Sequence, residues 1–364
     1  MTTQKTKLPE GWREVELGKI FIFQDKTGRK AGEGQERGKY KFFTSSSEQT
    51  KFIDSYDFDS EYLIFASGGQ AAIHYCNEKF SASNDCFVVK VNSEISAKYV
   101  YYYLLSKIYL LEAGFKGAGL KHISKKYIEK IKIICPKNIE TQKKIVAILE
   151  KAEKLKEKRE QAIKLADEYL KSVFYEMFLK EKDKFEEVEL GDKKVSLDLF
   201  AGGDVPKNNF SKIKTIEYNI PIFTNGEKDK GLYGYTDTPK VKEPSITISA
   251  RGTIGYTEIR KESFYPAIRL IVLIPNKRNV NLHYLKYAIN QLKFNLGGTS
   301  IPQLTVPMVR NLKIPLPPVE LQQKFASIVE KVEKMKEKQL ESKKKIDEMF
   351  NSLMQKAFRG ELVR

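Results

Sequence analysis

An internal repeat constrains the fold of this chain more than any other feature. Residues 139–158, IETQKKIVAILEKAEKLKEK, recur without a gap as residues 319–338, VELQQKFASIVEKVEKMKEK, so that matching residue types stand 180 positions apart. Weaker similarity reaches upstream, where the tetrapeptide VELG occurs at 15–18 and again at 188–191. A period of this length predicts two duplicated domains, because solenoids repeat every 20 to 50 residues.

Composition is typical of a soluble protein of a reducing compartment. The chain has 364 residues, which is enough for two domains that each bury their own core. The three cysteines show no paired spacing, and with only three histidines no metal site is expected. No apolar run approaches the length of a membrane span, and the polar start does not resemble a signal peptide. We therefore expect a cytoplasmic protein that does not enter a membrane.

The positive charge is concentrated in two regions of the chain. Of the net charge of +17, residues 1–137 carry +6 and residues 183–316 carry +6. An excess of cations is typical of proteins that bind a polyanion such as DNA, because each neutralised phosphate releases condensed counterions. The alternative reading is a soluble basic protein that binds no nucleic acid.

The two repeated segments have the apolar spacing of coiled-coil helices. Steps of three and four define a stripe in the first segment, formed by Ile145, Ile148, Ala152, Leu155, Arg159, Ala162, Ala166, Tyr169 and Val173. The second stripe is formed by Phe325, Ile328, Val332, Met335, Gln339, Ser342, Ile346, Met349 and Leu353. Arg159 and Gln339 occupy the same heptad position, where a polar residue can specify register; the alternative is that both are tolerated near the surface.

Such long amphipathic helices need a partner. We predict that they pair with each other as an antiparallel coiled coil within the chain, with the globules at opposite ends and related by a pseudo-two-fold axis; parallel pairing between two chains is the competing solution. The fold class is then α+β, with two strand-rich α/β recognition domains separated by two long helices. The predicted boundaries are 1–137 for the first recognition domain, 138–182 for the central helical region, 183–316 for the second domain and 317–364 for the C-terminal helical region.

Each globule is predicted to consist of short strands, one short helix and two polar glycine-containing loops. Residues 66–70 match 250–253, and residues 116–122 match 297–303. Such loops suit close approach to phosphates and base edges, although ordinary strand turns use the same residue types. The candidate DNA-contacting residues in these loops and in two strand-end turns are Thr44, Ser45, Ser67, Gly68, Gln70, Lys116, Lys121, His122, Thr224, Asn225, Arg251, Thr253, Thr299, Ser300 and Gln303.

The motifs expected of an enzyme are missing from the sequence. Residues 32–40 resemble a phosphate-binding loop, but the glycine spacing is one residue too long and Tyr40 stands where Ser or Thr would hold magnesium. There is no complete dinucleotide fingerprint, amino-methyltransferase motif or nuclease carboxylate cluster. The chain is therefore predicted to be non-catalytic and to bind no cofactor itself.

Several motifs together resemble the specificity subunit of type I restriction-modification systems. They are the opening LPEGW at 8–12, the globule ending KIICP at 132–136, the helix opening ETQKKI at 140–145 and the ending QKAFRGEL at 355–362. The resemblance spans the whole chain. It implies two target-recognition domains, each reading one half of an asymmetric bipartite sequence in double-stranded DNA, with helices that set the spacing and dock other subunits.

The resemblance also implies the partners of the chain. Two modification (methyltransferase) subunits would bind it and supply S-adenosylmethionine, while restriction subunits would add translocation and cleavage that need ATP and Mg²⁺. Two other classes of function remain open from the residues alone. One is a coiled-coil homodimeric DNA-binding regulator without enzymatic partners, and the other is a structural adaptor whose basic domains bind an acidic protein.

Overall fold

The computed structural model describes residues 8–294 and 302–363, which form two compact units. Unit 1 comprises Met1–Glu160 and Glu341–Arg364, and unit 2 comprises Gln161–Leu340. Each unit contains one strand-rich globule and part of each long helix. The domain boundaries at 137, 182 and 316 stay predictions.

Within the described residues, nine strands and three short α-helices form the globule of unit 1. The strands are β1 (Trp12–Glu16), β2 (Phe21–Phe23), β3 (Tyr40–Phe43), β4 (Lys51–Ile53), β5 (Tyr62–Ala66), β6 (Ile73–Cys76), β7 (Phe80–Ala82), β8 (Cys86–Val91) and β9 (Lys132–Pro136). The helices are α1 (Ala97–Ser106), α2 (Tyr109–Glu112) and α3 (Lys125–Glu129). A four-stranded antiparallel sheet has the order β2-β8-β5-β6, a three-stranded sheet has the order β4-β3-β7, and β1 pairs with β9.

The central strand β5 shows why this globule has two layers of core. All five of its residues are buried, and successive side chains of a strand point to opposite faces. Leu63 and Phe65 pack with the short helices and with the long helices of unit 1, whereas Tyr62 and Ile64 pack against the three-stranded sheet. An uninterrupted apolar run is therefore the pattern of a strand covered on both faces.

Unit 2 repeats this architecture strand for strand. Its strands are β10 (Glu186–Glu189), β11 (Ser196–Ala201), β12 (Ile220–Phe223), β13 (Leu232–Thr236), β14 (Ser245–Ile248), β15 (Thr257–Arg260), β16 (Tyr265–Pro266), β17 (Ile271–Pro275) and β18 (Lys313–Leu316). The sheet orders are β11-β17-β14-β15, β13-β12-β16 and β10-β18. The pairs β3·β7 and β12·β16 are both parallel, in contrast to every other neighbouring pair of strands in the described residues. The predicted α+β class and duplication are confirmed.

Two long helices follow the strand pairs that close each globule. The first, α4, spans Ile139–Phe174 and continues as a π-helical turn at Tyr175–Leu179. After the short helices α5 (Leu282–Asn290) and α6 (Val306–Arg310), the second long helix, α7, spans Val319–Arg359. No helix within the described residues is both long enough and apolar enough to cross a membrane.

The long helices run antiparallel within each unit. In unit 1, Lys156 pairs with Asp347 and Lys343 pairs with Glu160, so that a step of four residues forward in α4 corresponds to a step of four backward in α7. In unit 2, Lys336 pairs with Asp167. Further along α4, the ring of Phe174 lies 5.3 Å from that of Phe325, which is earlier in α7. The predicted antiparallel pairing is confirmed within each unit.

The predicted apolar stripes are partly wrong: Ile145, Ala152, Phe325 and Ile346 are buried as predicted, but two members of each stripe are exposed. Leu155 is 45% exposed and its repeat counterpart Met335 is 62% exposed, while Tyr169 and Met349 are also exposed. The residues that follow Leu155 and Met335 are Lys156 and Lys336, which are partly buried and pair with Asp347 and Asp167 on the other long helix. Arg159 and Gln339 are half-buried, and their role in register stays a prediction.

A buried glutamine joins the start of each long helix to its globule. The side chain of Gln142 donates to the carbonyl of Pro136 (2.8 Å) and accepts from the backbone N–H of Ser96 (3.0 Å). Its repeat counterpart Gln322 donates to Pro317 (2.8 Å) and accepts from the N–H of Asn281 (2.8 Å). Both glutamines are fully buried. Each one ties the preceding strand, the following helix and the first short helix of the globule into one rigid joint.

Replacing Gln142 with leucine is expected to lower the free energy of unfolding of unit 1 by about 2–4 kcal/mol. The leucine keeps the volume but removes a partner of the partly buried Ser96 N–H and of the buried Pro136 carbonyl, and each such group costs roughly 1–3 kcal/mol. Urea unfolding followed by the fluorescence of Trp12, the single tryptophan of the chain, measures this change in unit 1. The control is Gln355→Leu at an exposed helical position, and equal stability of the two variants would contradict the prediction.

Candidate nucleic-acid interface

Three loops of unit 1 converge at one edge of the globule. The first follows β3, the second follows β5 and the third precedes β8. The backbone carbonyl of Asp85 joins them, because it accepts from the Ser45 hydroxyl (2.7 Å), the Ser67 hydroxyl (2.8 Å) and the Ser67 N–H (2.8 Å). Thr44 lies beside Ser45 at the end of β3. Two loops that are 22 residues apart in the chain are thereby held in contact.

A short hairpin ahead of α3 packs against this edge. Its base is closed by the mutual backbone hydrogen bonds of Lys116 and His122, both 2.9 Å. The N–H of Gly69 donates to the carbonyl of Lys121 (3.0 Å), and the Nδ1 atom of His122 lies 3.2 Å from the carbonyl oxygen of Ser67. The structure therefore brings the predicted residues of both loops of unit 1 together. Gln70, Lys116, Lys121 and His122 are exposed there.

As the Asp85 carbonyl does in unit 1, the side chain of Asn225 joins the loops of unit 2. Its side-chain oxygen accepts from the N–H of Ala250 (2.7 Å), and its side-chain nitrogen donates to the carbonyl of Ile268 (2.6 Å). Thr224, which precedes it, donates its N–H to the carbonyl of Gly231 (2.8 Å). The loops after β12, β14 and β16 consequently meet in the same way as their counterparts in unit 1.

The segment of unit 2 that contains Gln303 is attached to these loops through Arg251. Its guanidinium donates to the side-chain oxygen of Gln303 (2.7 Å), and the N–H of Leu304 donates to the carbonyl of Ala250 (2.9 Å). Thr253 lies exposed in the turn that follows Arg251. The predicted residues Thr299 and Ser300 lie outside the described residues. All the other predicted residues of unit 2 gather at this one edge.

The hydrogen bonds show that the sequence match between residues 66–70 and 250–253 is wrong by one residue. Ile123 donates its N–H to the carbonyl of Ser67 (3.1 Å), as Leu304 does to that of Ala250. Ser67 is therefore the counterpart of Ala250, whereas the sequence match had paired Ala66 with Ala250. The error arises because small residues follow both strands, so that composition alone cannot distinguish neighbouring positions.

Sequence reasoning missed the loops that follow β7 and β16. Asp85 in unit 1 and Ile268 in unit 2 supply the carbonyls on which the other loops are fastened. Ile268 and Arg269 have φ values of 53° and 60°, a region that non-glycine residues, and β-branched ones above all, rarely adopt. No signal in the sequence points to such a conformation at isoleucine. Hydrogen bonds hold Ile268 on both sides, because its N–H donates to the carbonyl of Gly203 (2.7 Å) and its carbonyl accepts from Asn225.

The two edges are supported by different side chains. In unit 2, the guanidinium of Arg260 lies 3.6 Å from the ring centroid of Phe223, the residue before Thr224, and donates to the Thr247 hydroxyl (3.1 Å) and the Lys230 carbonyl (2.6 Å). Burial lowers the pKa of Arg260 to about 10. Because this value is still well above neutral pH, the side chain remains charged there. The strand registers place the buried Cys76 at the corresponding position of unit 1.

The comparisons with known proteins agree with this duplicated geometry. The sequence profile of the type I restriction modification DNA specificity domain matches the chain twice, over residues 9–165 and 182–348. A putative type I specificity subunit of Mycoplasma pneumoniae is 33% identical over 302 residues, which cover 80% of this chain and 81% of the relative. A putative type I restriction enzyme specificity subunit of Haemophilus influenzae is 28% identical over 309 residues, which cover 78% and 77%.

A solved structure shows the same fold over nearly the whole chain. The S subunit of a type I restriction-modification system from M. genitalium superposes with a TM-score of 0.67 at 16% identity, covering 98% of this chain and 99% of that one. None of the comparisons supports the alternative of a homodimeric regulator. With two profile matches that together span most of its length, this chain belongs to the type I restriction-modification DNA specificity family.

Proposed function

We propose that each unit of this chain reads one half of a bipartite DNA sequence through its three-loop edge, for a type I restriction-modification system. The observation that carries this proposal is the repetition of one loop scaffold with different side chains. Ser45, Ser67 and His122 in unit 1 correspond to Asn225, Ala250 and Gln303 in unit 2. Since base edges are distinguished by the donors and acceptors presented to them, the two half-sites differ and the target is asymmetric.

Charge supports the same proposal. The regions that contain the two globules each carry a net charge of +6, and the exposed cations Lys116, Lys121 and Arg251 stand at the loop edges. Cationic groups at the edge attract the phosphate backbone and position the duplex, while the polar side chains between them read the bases. Which of the predicted side chains contact DNA stays part of the proposal.

The partners proposed for the chain are two methyltransferase subunits and, beyond them, restriction subunits. Exposed apolar side chains on the long helices support a docking role for these helices: Leu155, Leu165, Tyr169, Met335, Leu340 and Met349. The partners would carry S-adenosylmethionine, ATP and Mg²⁺, and the chain itself would be non-catalytic.

Reconstitution tests the proposed function. The chain is mixed with candidate methyltransferase subunits from the same organism and with genomic DNA, and methylated positions are mapped by single-molecule sequencing. We expect methylation at one asymmetric bipartite sequence only when both components are present. Methylation of that sequence by the isolated chain, or an unchanged pattern when the chain is left out, would refute the proposal.

The length of the helices is proposed to set the spacer between the half-sites. Inserting seven residues after Arg159 and seven after Gln339 keeps the heptad register and adds about 10 Å of helix. At roughly 3.4 Å per base pair, that corresponds to about three base pairs. The expected result is a longer spacer in the methylated sequence, or loss of methylation where the added twist of DNA cannot be accommodated. An active variant with an unchanged spacer would contradict this prediction, and a seven-residue insertion in one helix alone serves as the control.

A further inference from the structure

Leu120 stands out among the apolar residues of unit 1. Its side chain is 78% exposed, whereas no other large apolar residue described in this unit exceeds 58%. It lies at the tip of the hairpin closed by Lys116 and His122, on the loop edge described above. Burying this exposed leucine against a partner would be favourable, because burial removes apolar surface from water.

The hairpin is shaped to hold this tip in place. Gly117 adopts a φ of 144°, and a Cβ atom added there would lie 2.6 Å from the backbone oxygen of Leu120. Only glycine therefore allows the backbone to close so tightly beneath Leu120. The bond between Gly69 and Lys121 fastens the residue next to the tip to the loop after β5. The turn that carries Leu120 is therefore held in place by backbone hydrogen bonds.

Charge identifies the kind of partner that would cover this side chain. The tip is flanked by the exposed cations Lys116 and Lys121. An acyl chain or an apolar protein groove would have to desolvate these ammonium groups, whereas duplex DNA offers phosphates to both cations and an apolar stack of bases between them. Proteins that unstack DNA insert Leu, Ile, Met or Phe between base pairs in this way. In the sequence of unit 2, Ile301 occupies the matching place, two residues before Gln303.

We propose that Leu120 is a wedge that inserts between two base pairs of the half-site read by unit 1 and opens that base step. The inference rests on the proposed function, since it requires that the loop edge of unit 1 faces DNA. It assigns Leu120 a positioning role that is distinct from base reading. By opening one step, the wedge fixes the register of the duplex on unit 1 and makes local deformability part of the specificity.

The experiment uses the specificity chain assembled with its methyltransferase subunits and a duplex that carries the mapped target. The fluorescent base 2-aminopurine is placed at successive positions of the half-site read by unit 1, other than the methylated base, because flipping of that base produces a signal of its own. We expect the wild-type complex to raise the fluorescence at one step. Leu120→Ala should abolish this signal and weaken binding about tenfold, which corresponds to the burial of part of one leucine side chain.

A mismatched base pair at the step where the fluorescence rises tests whether Leu120 contributes to binding by opening that step. Because a mismatched pair is already unstacked, Leu120→Ala should bind the mismatched duplex nearly as tightly as the wild type does, while Leu120→Met should behave as the wild type on both duplexes. The matched control is Ile22→Ala, which removes an exposed apolar side chain of unit 1 that lies in β2, opposite Lys90 of β8, and not in any of the three loops. Lys121→Ala should weaken binding to both duplexes alike and reduce its salt dependence.

The outcomes separate the wedge from the proposed function. If Leu120→Ala binds and fluoresces as the wild type does, or loses the same affinity on intact and mismatched duplexes, the wedge is refuted while DNA recognition stands. If the wild-type complex shows no preference for any DNA sequence, the proposed function itself fails.

Discussion

Exchanging residues 183–316 for the corresponding residues of another family member is expected to replace one half of the methylated sequence and to leave the other half unchanged. The reason is that, within the described residues, hydrogen bonds fasten the loops of unit 2 to one another. Asn225 bonds to Ala250 and Ile268, and Arg251 bonds to Gln303. A self-contained scaffold carries its own specificity when it is moved as a whole.

Single-molecule sequencing of DNA methylated by the chimeric complex measures this effect. The control is a chimera in which residues 306–316 alone are exchanged, which replaces α6 and β18 but keeps every loop of the edge; it should methylate the original sequence. A change in both halves of the target after the full exchange would show that the two units do not read separate half-sites.

Phe325→Ala is expected to destabilise unit 2 by about 3–5 kcal/mol, the typical cost of truncating a phenylalanine in a core. Phe325 is fully buried, and its ring lies 5.3 Å from that of Phe174, 5.5 Å from that of Phe178 and 5.1 Å from that of Tyr287. This cluster joins both long helices to α5 within unit 2. Removing one ring leaves a cavity that three rigid aromatic neighbours cannot easily fill.

Hydrogen–deuterium exchange of the strands β14 and β17 reports the stability of unit 2 separately from that of unit 1. The matched control is Met335→Ala on the same helix, because Met335 is 62% exposed although the sequence pattern predicted it to be buried. That substitution should change the stability by less than about 0.5 kcal/mol. Equal losses from the two variants would mean that the buried seam has been placed wrongly.

The sequence predicted the helices well because their signal is local. A repeat of 20 residues without a gap, with apolar residues in steps of three and four, indicates two related amphipathic helices. The presence of short strands in each globule was also predictable, since short β-branched and aromatic runs bounded by turn residues favour buried strands. The α+β class, the duplication and the antiparallel pairing followed from these patterns.

The burial of individual positions in each stripe was not predictable in the same way. Leu155 and Met335 fit the apolar stripe, but both are exposed, whereas the next residues, Lys156 and Lys336, are partly buried and pair with carboxylates of the other long helix. A lysine is apolar along its stem and charged at its end, so its burial depends on whether a carboxylate stands within reach on the other helix. Asp347 and Asp167 meet that condition, and they are far away in sequence.

The sequence by itself determined that the chain is a duplicated α+β protein with two long helices, and it pointed to polar loops as the candidate site. Only the tertiary structure decided that these loops form one edge in each unit, because the bonds that join them, from Ser45 and Ser67 to Asp85 and from Asn225 to Ile268, connect residues between 18 and 43 positions apart. The strained conformation of Ile268 was equally beyond the sequence, since it opposes the intrinsic preference of isoleucine. Local preferences specify the elements, whereas contacts between distant residues specify the site.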